Sequence, residues 1–201
     1  YSFKSPDFPA IPESAKLNQT QINFIKEVEP LKLLIGTATE GFFYYDLLSQ
    51  KLQQNSPARF NPDNSAQLHT CYIDKQGNAW IGTYDKGYTV ANKQSDCFND
   101  DPILSNQFKG KFVTRVMEDE AHHLWIATRY DGLYRYSPSG EWVKYENQRL
   151  LPGKNEFLEA IFIDSQQRVW LAFETRLIVV RVTGEGQLSI IQRLNVENVR
   201  V

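Results

Sequence analysis

Short runs of β-branched and aromatic residues, separated by polar turn signals, fill most of this chain, and no segment places its apolar residues at a convincing helical period. One kind of run is almost continuously apolar: Leu68 to Ile73, Phe112 to Met117 and Phe157 to Ile163. An aspartate follows each at once (Asp74, Asp119, Asp164), and its carboxylate suits an Asx turn that accepts backbone amides two residues on. A second run carries a tryptophan and then a small residue: Trp80 with Gly82, Trp125 with Ala127, Trp170 with Ala172. A third run begins at Gly41, Gly87 and Gly132, as GFFYYD, GYTVAN and GLYRYS. A fourth is looser: ARF near Phe60, CFND at Cys97, EWVKY at Trp142, QLSII at Leu188. The pattern predicts units of four short antiparallel strands.

The units repeat. Trp80, Trp125 and Trp170 stand 45 residues apart, and Leu34 holds the same slot 46 residues before Trp80. Around them one phrase recurs, DKQGNAWIGT, DEAHHLWIAT and DSQQRVWLAF, with a worn LLIGT in the first unit. Four strands at this period are the arithmetic of a β-propeller blade. The expected fold is therefore all-β, with blades at approximately 21–62, 63–107, 108–152 and 153–201 and an N-terminal segment, 1–20, read as a strand of a preceding blade. Stacked blades bury both sheet faces, which explains runs that do not alternate. Leu34, Trp80, Trp125 and Trp170 are expected to fill the wedges between blades rather than to touch a ligand.

The phrase D-x-x-G-x-x-W-I-G-T-x-x-x-G-L-x-x-Y resembles the two-component regulator propeller repeat. Asp74, Gly77, Trp80, Ile81, Gly82, Thr83 and Gly87 carry it in the second unit, and Asp119, Trp125, Ile126, Thr128, Gly132, Leu133 and Tyr136 in the third. The first unit keeps Ile35, Gly36, Thr37, Gly41 and Phe42 but lacks the Asp and Trp; the fourth keeps Asp164 and Trp170 but reads FETRL where the Gly-Thr and later Gly belong. The resemblance spans about residues 21–190. It implies the extracytoplasmic, periplasmic sensor region of a bacterial signalling protein, joined through a membrane helix to an output histidine kinase or diguanylate cyclase. Such sensors usually carry more than four blades. The expectation is thus an arc of a larger propeller, completed by further blades or by a second copy of the chain.

Variation concentrates where the scaffold repeats least. Loops between second and third strands gather at the channel face of a propeller, and here they read ATE ending at Glu40, YDK over Tyr84, Asp85 and Lys86, RYD over Arg129, Tyr130 and Asp131, and ETR from Glu174 to Arg176. Tyr84 and Tyr130 are read as occupying equivalent slots, and rings beside charges suit a polar small molecule or saccharide. The competing reading is that Asp85 and Asp131 shape turns while the tyrosines shield blade edges. On the innermost strands His69, Arg115 and Glu159 interrupt apolar runs and are placed to line the channel; Arg115 and Glu159, on adjacent blades, are expected to pair.

Composition removes other classes. Formal charge is −2, from 22 basic and 24 acidic residues without runs, so the basic stripe that nucleic acid needs is missing. No stretch reaches the roughly 18 apolar residues of a membrane helix, and no signal peptide is visible. Cys71 and Cys97 are expected to remain unpaired, since innermost and outermost strands of one sheet lie about 14 Å apart. His122 and His123 fall in a strand turn on the opposite face from the channel loops, where metal binding is not expected, and no cofactor signature appears. Glu118, Asp119 and Glu120 read as a solvated turn, and Asn18-Gln19-Thr20 is a glycosylation sequon that matters only in a eukaryotic secretory setting. The functional expectation is a non-enzymatic sensor that recognises a polar ligand at the channel face. An interaction scaffold and a propeller lyase or hydrolase are the rivals.

Overall fold

The computed structural model describes residues 17, 19–55, 67–91, 98–99, 107–151, 156–184 and 186–195. Four four-stranded antiparallel meanders form, each in simple sequence order. The first holds β1 (Ile22–Glu29), β2 (Lys32–Thr37), β3 (Phe42–Asp46) and β4 (Lys51–Asn55). The second holds β5 (Leu68–Ile73), β6 (Ala79–Thr83), β7 (Tyr88–Ala91) and β8 (Phe98–Asn99). The third holds β9 (Val113–Glu118), β10 (Leu124–Thr128), β11 (Gly132–Tyr136) and β12 (Trp142–Tyr145). After a single helical turn, Asn147–Leu150, the fourth holds β13 (Leu158–Ile163), β14 (Val169–Phe173), β15 (Arg176–Val182) and β16 (Leu188–Asn195). These are propeller blades. One strand departs from expectation: the run near Phe60 lies outside the described residues, and the strand that pairs with β3 is KLQQN, too polar to register as an apolar run.

The first strands stand side by side, β1 against β5, β5 against β9 and β9 against β13, while no comparable packing joins β13 to β1 among the described residues. The cores lie between the blades. Leu34 packs with Leu68, Cys71 and Ile81; Trp80 with Val113, Val116 and Ile126; Trp125 with Leu158, Ile161 and Leu171. Leu34, Trp80 and Trp125 thus each pack into the seam with the following blade. Trp170, which has no described blade beyond it, is only half-buried. Cys71 is a buried free thiol whose pKa burial pushes up to about 12; Cys97 lies outside the described residues.

The recurring aspartate does more than turn the chain. Its Oδ1 accepts the expected amide two residues on in blades two and four (Gln76 on Asp74, Gln166 on Asp164) and, in all three blades, the amide four residues on (Asn78, His123 and Arg168). Its Oδ2 accepts the indole N–H six residues on, at 2.8 Å for Trp80, 2.9 Å for Trp125 and 2.8 Å for Trp170. A buried indole needs an acceptor, and the turn supplies it.

A second device recurs at the other end of each first strand. Every one carries a register shift there, leaving Asn23, His69, Thr114 and Glu159 as the extra residue of a β-bulge. Two of these side chains tie their blade to the next: Asn23 Nδ2 donates to the Leu68 carbonyl, and Thr114 Oγ1 to the Leu158 carbonyl at 3.2 Å. His69 and Glu159 do not follow this pattern, and both border the site described next.

Candidate functional site

The loops between second and third strands are closed by the threonine of the repeat. Thr37, Thr83 and Thr128 donate through Oγ1 to the carbonyls of Gly41, Gly87 and Gly132, at 2.7, 2.9 and 2.7 Å. Gly87 (φ 78°) is required twice over, by its left-handed backbone and because a Cβ there would stand 2.3 Å from the Phe108 carbonyl. In the fourth blade Phe173 replaces the threonine, and β15 begins directly at Arg176.

Backbone pairing fixes the loops against the entry to each first strand. The Tyr84 amide donates to the Gln67 carbonyl at 3.0 Å, and the Arg129 amide to the Phe112 carbonyl at 2.9 Å. Tyr84 therefore corresponds to Arg129, and Tyr130 stands one position further along; the two tyrosines are not in equivalent slots. They are nevertheless brought onto one surface. Tyr84 lies on Phe112 with ring centroids 4.1 Å apart, and His69 packs edge-on against both at 4.8 Å. Tyr130 packs edge-on against Phe157 at 4.9 Å and reaches Phe112 at 6.4 Å. Between them the Arg129 guanidinium lies over Phe157, Phe112 and Tyr130 at 5.2, 5.5 and 5.9 Å. The outcome is an aromatic band across blades two to four with a cation inside it. Tyr130 is 64% exposed and Tyr84 37%, whereas Phe112 is buried.

Glu159 closes the band. Its carboxylate pairs with Arg129 Nη2 at 2.9 Å, so the expected Arg115–Glu159 pair does not form. The register explains this: Glu159 occupies the bulge beside Leu158, whose amide is hydrogen-bonded to the Arg129 carbonyl at 3.2 Å, which brings the loop rather than β9 to it. Arg115 remains exposed on the innermost strand. Burial, and then the charges of Arg129 and Arg115, lower the His69 pKa below its ordinary value and favour the neutral ring.

The other candidates divide. Asp131 turns away from the band: its carboxylate accepts from Lys111, from the Tyr134 hydroxyl and from Lys144 at 2.8 Å. Burial opposes its ionisation, but these three partners outweigh it and bring the carboxyl down to about 2. Arg176 is held by Glu156 at 3.3 Å. Asp85 and Glu174 are exposed, and Glu40 and Lys86 are half-buried with their amides on Thr37 and Thr83. Phe112, Phe157 and Glu156 were not among the sequence candidates. Phe112 and Phe157 are 45 residues apart, immediately before Val113 and Leu158, and that repetition was the available signal. Among the described residues no cluster of three His, Cys, Asp or Glu is arranged to hold a metal. What the band can do is stack planar or ring-shaped ligands and donate from tyrosine hydroxyls.

No family profile matches the chain, and no curated protein sequence does. Solved structures do match in fold. The extracellular domain of the BT4673 hybrid two component system from B. thetaiotaomicron superposes with TM-score 0.65 at 21% identity, over 95% of this chain and 23% of that one. Virginiamycin B lyase from Staphylococcus aureus gives 0.62 at 16%, over 85% and 55%. A β-propeller domain from Myceliophteria thermophila gives 0.58 at 9%, over 87% and 59%. The chain has the β-propeller fold, and it spans about a quarter of the length of the BT4673 extracellular domain.

Proposed function

We propose that these blades belong to the extracytoplasmic sensor region of a bacterial signalling receptor and that the aromatic band binds a polar small molecule, of which a saccharide fits best. The observation that carries the reading is the pair of exposed rings, Tyr84 and Tyr130, locked by Phe112 and Phe157 around a guanidinium that Glu159 already neutralises. Such a surface is rigid before the ligand arrives and offers ring faces and hydroxyls in place of a free charge, which suits a neutral, polyhydroxylated ring. The fold shared with an extracellular domain of a two component system supports the sensor role. Binding would bias the blades' arrangement relative to an output kinase or cyclase domain. This reading assigns no catalytic step to the chain, although virginiamycin B lyase shares the fold.

The test is a thermal-shift screen with mono- and oligosaccharides, followed by titration of any hit. A bound ligand raises the melting temperature by mass action. Tyr130→Ala, at an exposed position, is expected to weaken binding at least about tenfold while leaving the unliganded melting temperature within about 2 °C. Replacing Arg129 as well is expected to abolish binding. Unchanged affinity in the double variant would remove the band as the site. No shift with any saccharide, together with a co-purifying protein, would favour the interaction scaffold.

A further inference from the structure

The bulge slot at the head of each first strand holds Asn23, His69 and Thr114 in blades one to three, and Glu159 in blade four. The first three side chains can donate a hydrogen bond, and Asn23 and Thr114 spend theirs on a carbonyl of the next blade. An ionised carboxylate cannot donate, so Glu159 is unable to make that tie. The loop slot across the seam has changed with it. Ala38, Tyr84 and Arg129 are equivalent through their amide bonds to the carbonyls of Gln21, Gln67 and Phe112. Successive seams therefore combine Ala38 with His69, Tyr84 with Thr114, and Arg129 with Glu159. Of these three combinations, the last alone is a pair of opposite charges.

Stability does not account for the exchange. Both side chains are partly open to water, Arg129 29% and Glu159 37% exposed, and an ion pair in that setting adds little to folding. What the pair alters is the accessible chemistry of the aromatic band. The Arg129 guanidinium lies against Tyr130, whose ring is exposed, and so carries the Glu159 carboxylate to the edge of that ring. One carboxylate oxygen takes Arg129 Nη2, and among the described residues the other has no hydrogen-bond partner. A carboxylate only accepts, which suits adjacent hydroxyl donors on a ring stacked over Tyr130. It also cancels the cation that would hold an anionic ligand, and repels such a ligand itself. Arg115, the neighbouring cation on β9, stands exposed, where water and salt screen its charge.

We infer that Glu159 sets which saccharides the band accepts. A neutral sugar ring is bound on Tyr130 with two adjacent, unsubstituted hydroxyls donating to Glu159, and uronic-acid and sulfated saccharides are excluded. The inference rests on the band being a saccharide site.

The experiment is binding of the labelled chain to an array of neutral, uronic-acid and sulfated oligosaccharides. The parent is expected to bind neutral members, with acidic ones at least about tenfold weaker. Glu159→Gln keeps the size and an oxygen for Arg129 but removes the charge. It should gain at least about tenfold on acidic members and lose on neutral ones, while melting within about 2 °C of the parent. Arg129→Gln added to it removes the freed cation and should erase the acidic gain. Glu159→Asp, which keeps the charge, should keep the preference for neutral members. A parent that prefers acidic members would overturn the inference and leave the band a saccharide site. So would a Glu159→Gln variant that loses neutral and acidic members alike, because that is the result of a structural tie. A parent that binds no saccharide of any kind would remove the underlying reading, and this inference with it.

Discussion

Trp125 and Trp170 are the same residue in the repeat, with the same aspartate partner, and differ in what lies beyond them. Trp125 is buried against blade four, and Trp170 is half-exposed. Trp125→Ala is expected to cost about 3–5 kcal/mol, because it removes a large buried ring and one of the hydrogen bonds to the Asp119 carboxylate. Trp170→Ala should cost less than half as much; urea denaturation of the two variants makes the comparison, and equal losses would mean that Trp170 is covered after all. The aspartate turns and the wedge role were legible in sequence because each repeats at a fixed offset. The indole-to-aspartate bond was not, since it depends on a hairpin folding the sixth residue back over the turn.

At the level of elements, the loop from β10 to β11 is pinned by a charge cluster around Asp131, which the sequence offers either as a ligand contact or as a turn former. Asp131 gathers Lys111 from the entry to β9, Lys144 from β12 and Tyr134 from β11, so one carboxylate holds the inner and outer strands of blade three. Its folded pKa, about 2, lies below the ordinary 3.8. The stabilisation is therefore complete above about pH 4 and is lost as pH falls through about 2. Asp131→Asn is expected to lower stability near neutrality by about 1 kcal/mol, since a carboxylate one-third exposed realises only part of what its shift implies. The deficit should shrink toward pH 2 in denaturation curves measured across that range, and a deficit independent of pH would point to packing instead. Likewise, alignment on the turn aspartate placed His69, Thr114 and Glu159 in one register. That they are bulge residues, two of which leave the blade-to-blade tie made by Asn23 and Thr114, required the strand pairings.

For the whole molecule, the terminal faces set the behaviour. Phe162 is the counterpart of Met117 and Tyr72, which pack into the next seam, yet it is 58% exposed beside Trp170. Ile25, on the other terminal blade, is 55% exposed, while Leu17 covers part of that blade's buried cluster of Ile35, Phe43 and Leu52. Two such faces at the ends of an arc are expected to associate, with another blade or another copy. Light scattering should show mass rising with concentration, and Phe162→Lys should reduce the rise. A concentration-independent monomer would mean that neither face seeks a partner.

Sequence by itself determined the class of fold, the blade period and the loops in which the repeat varies. Each of these is written locally, in apolar periodicity, turn chemistry and repetition at a fixed interval. Tertiary structure decided how those loops divide: Tyr84, Tyr130 and Arg129 into one band with Phe112 and Phe157, Asp131 into a structural clamp, Glu159 onto Arg129 in place of Arg115. It also decided that one seam is bridged by the Lys75 amide on Glu118, while at the next the Glu120 amide bonds to Gln167 instead. These outcomes depend on which side chains adjacent blades bring within hydrogen-bond reach, and a one-residue bulge is enough to change the partner.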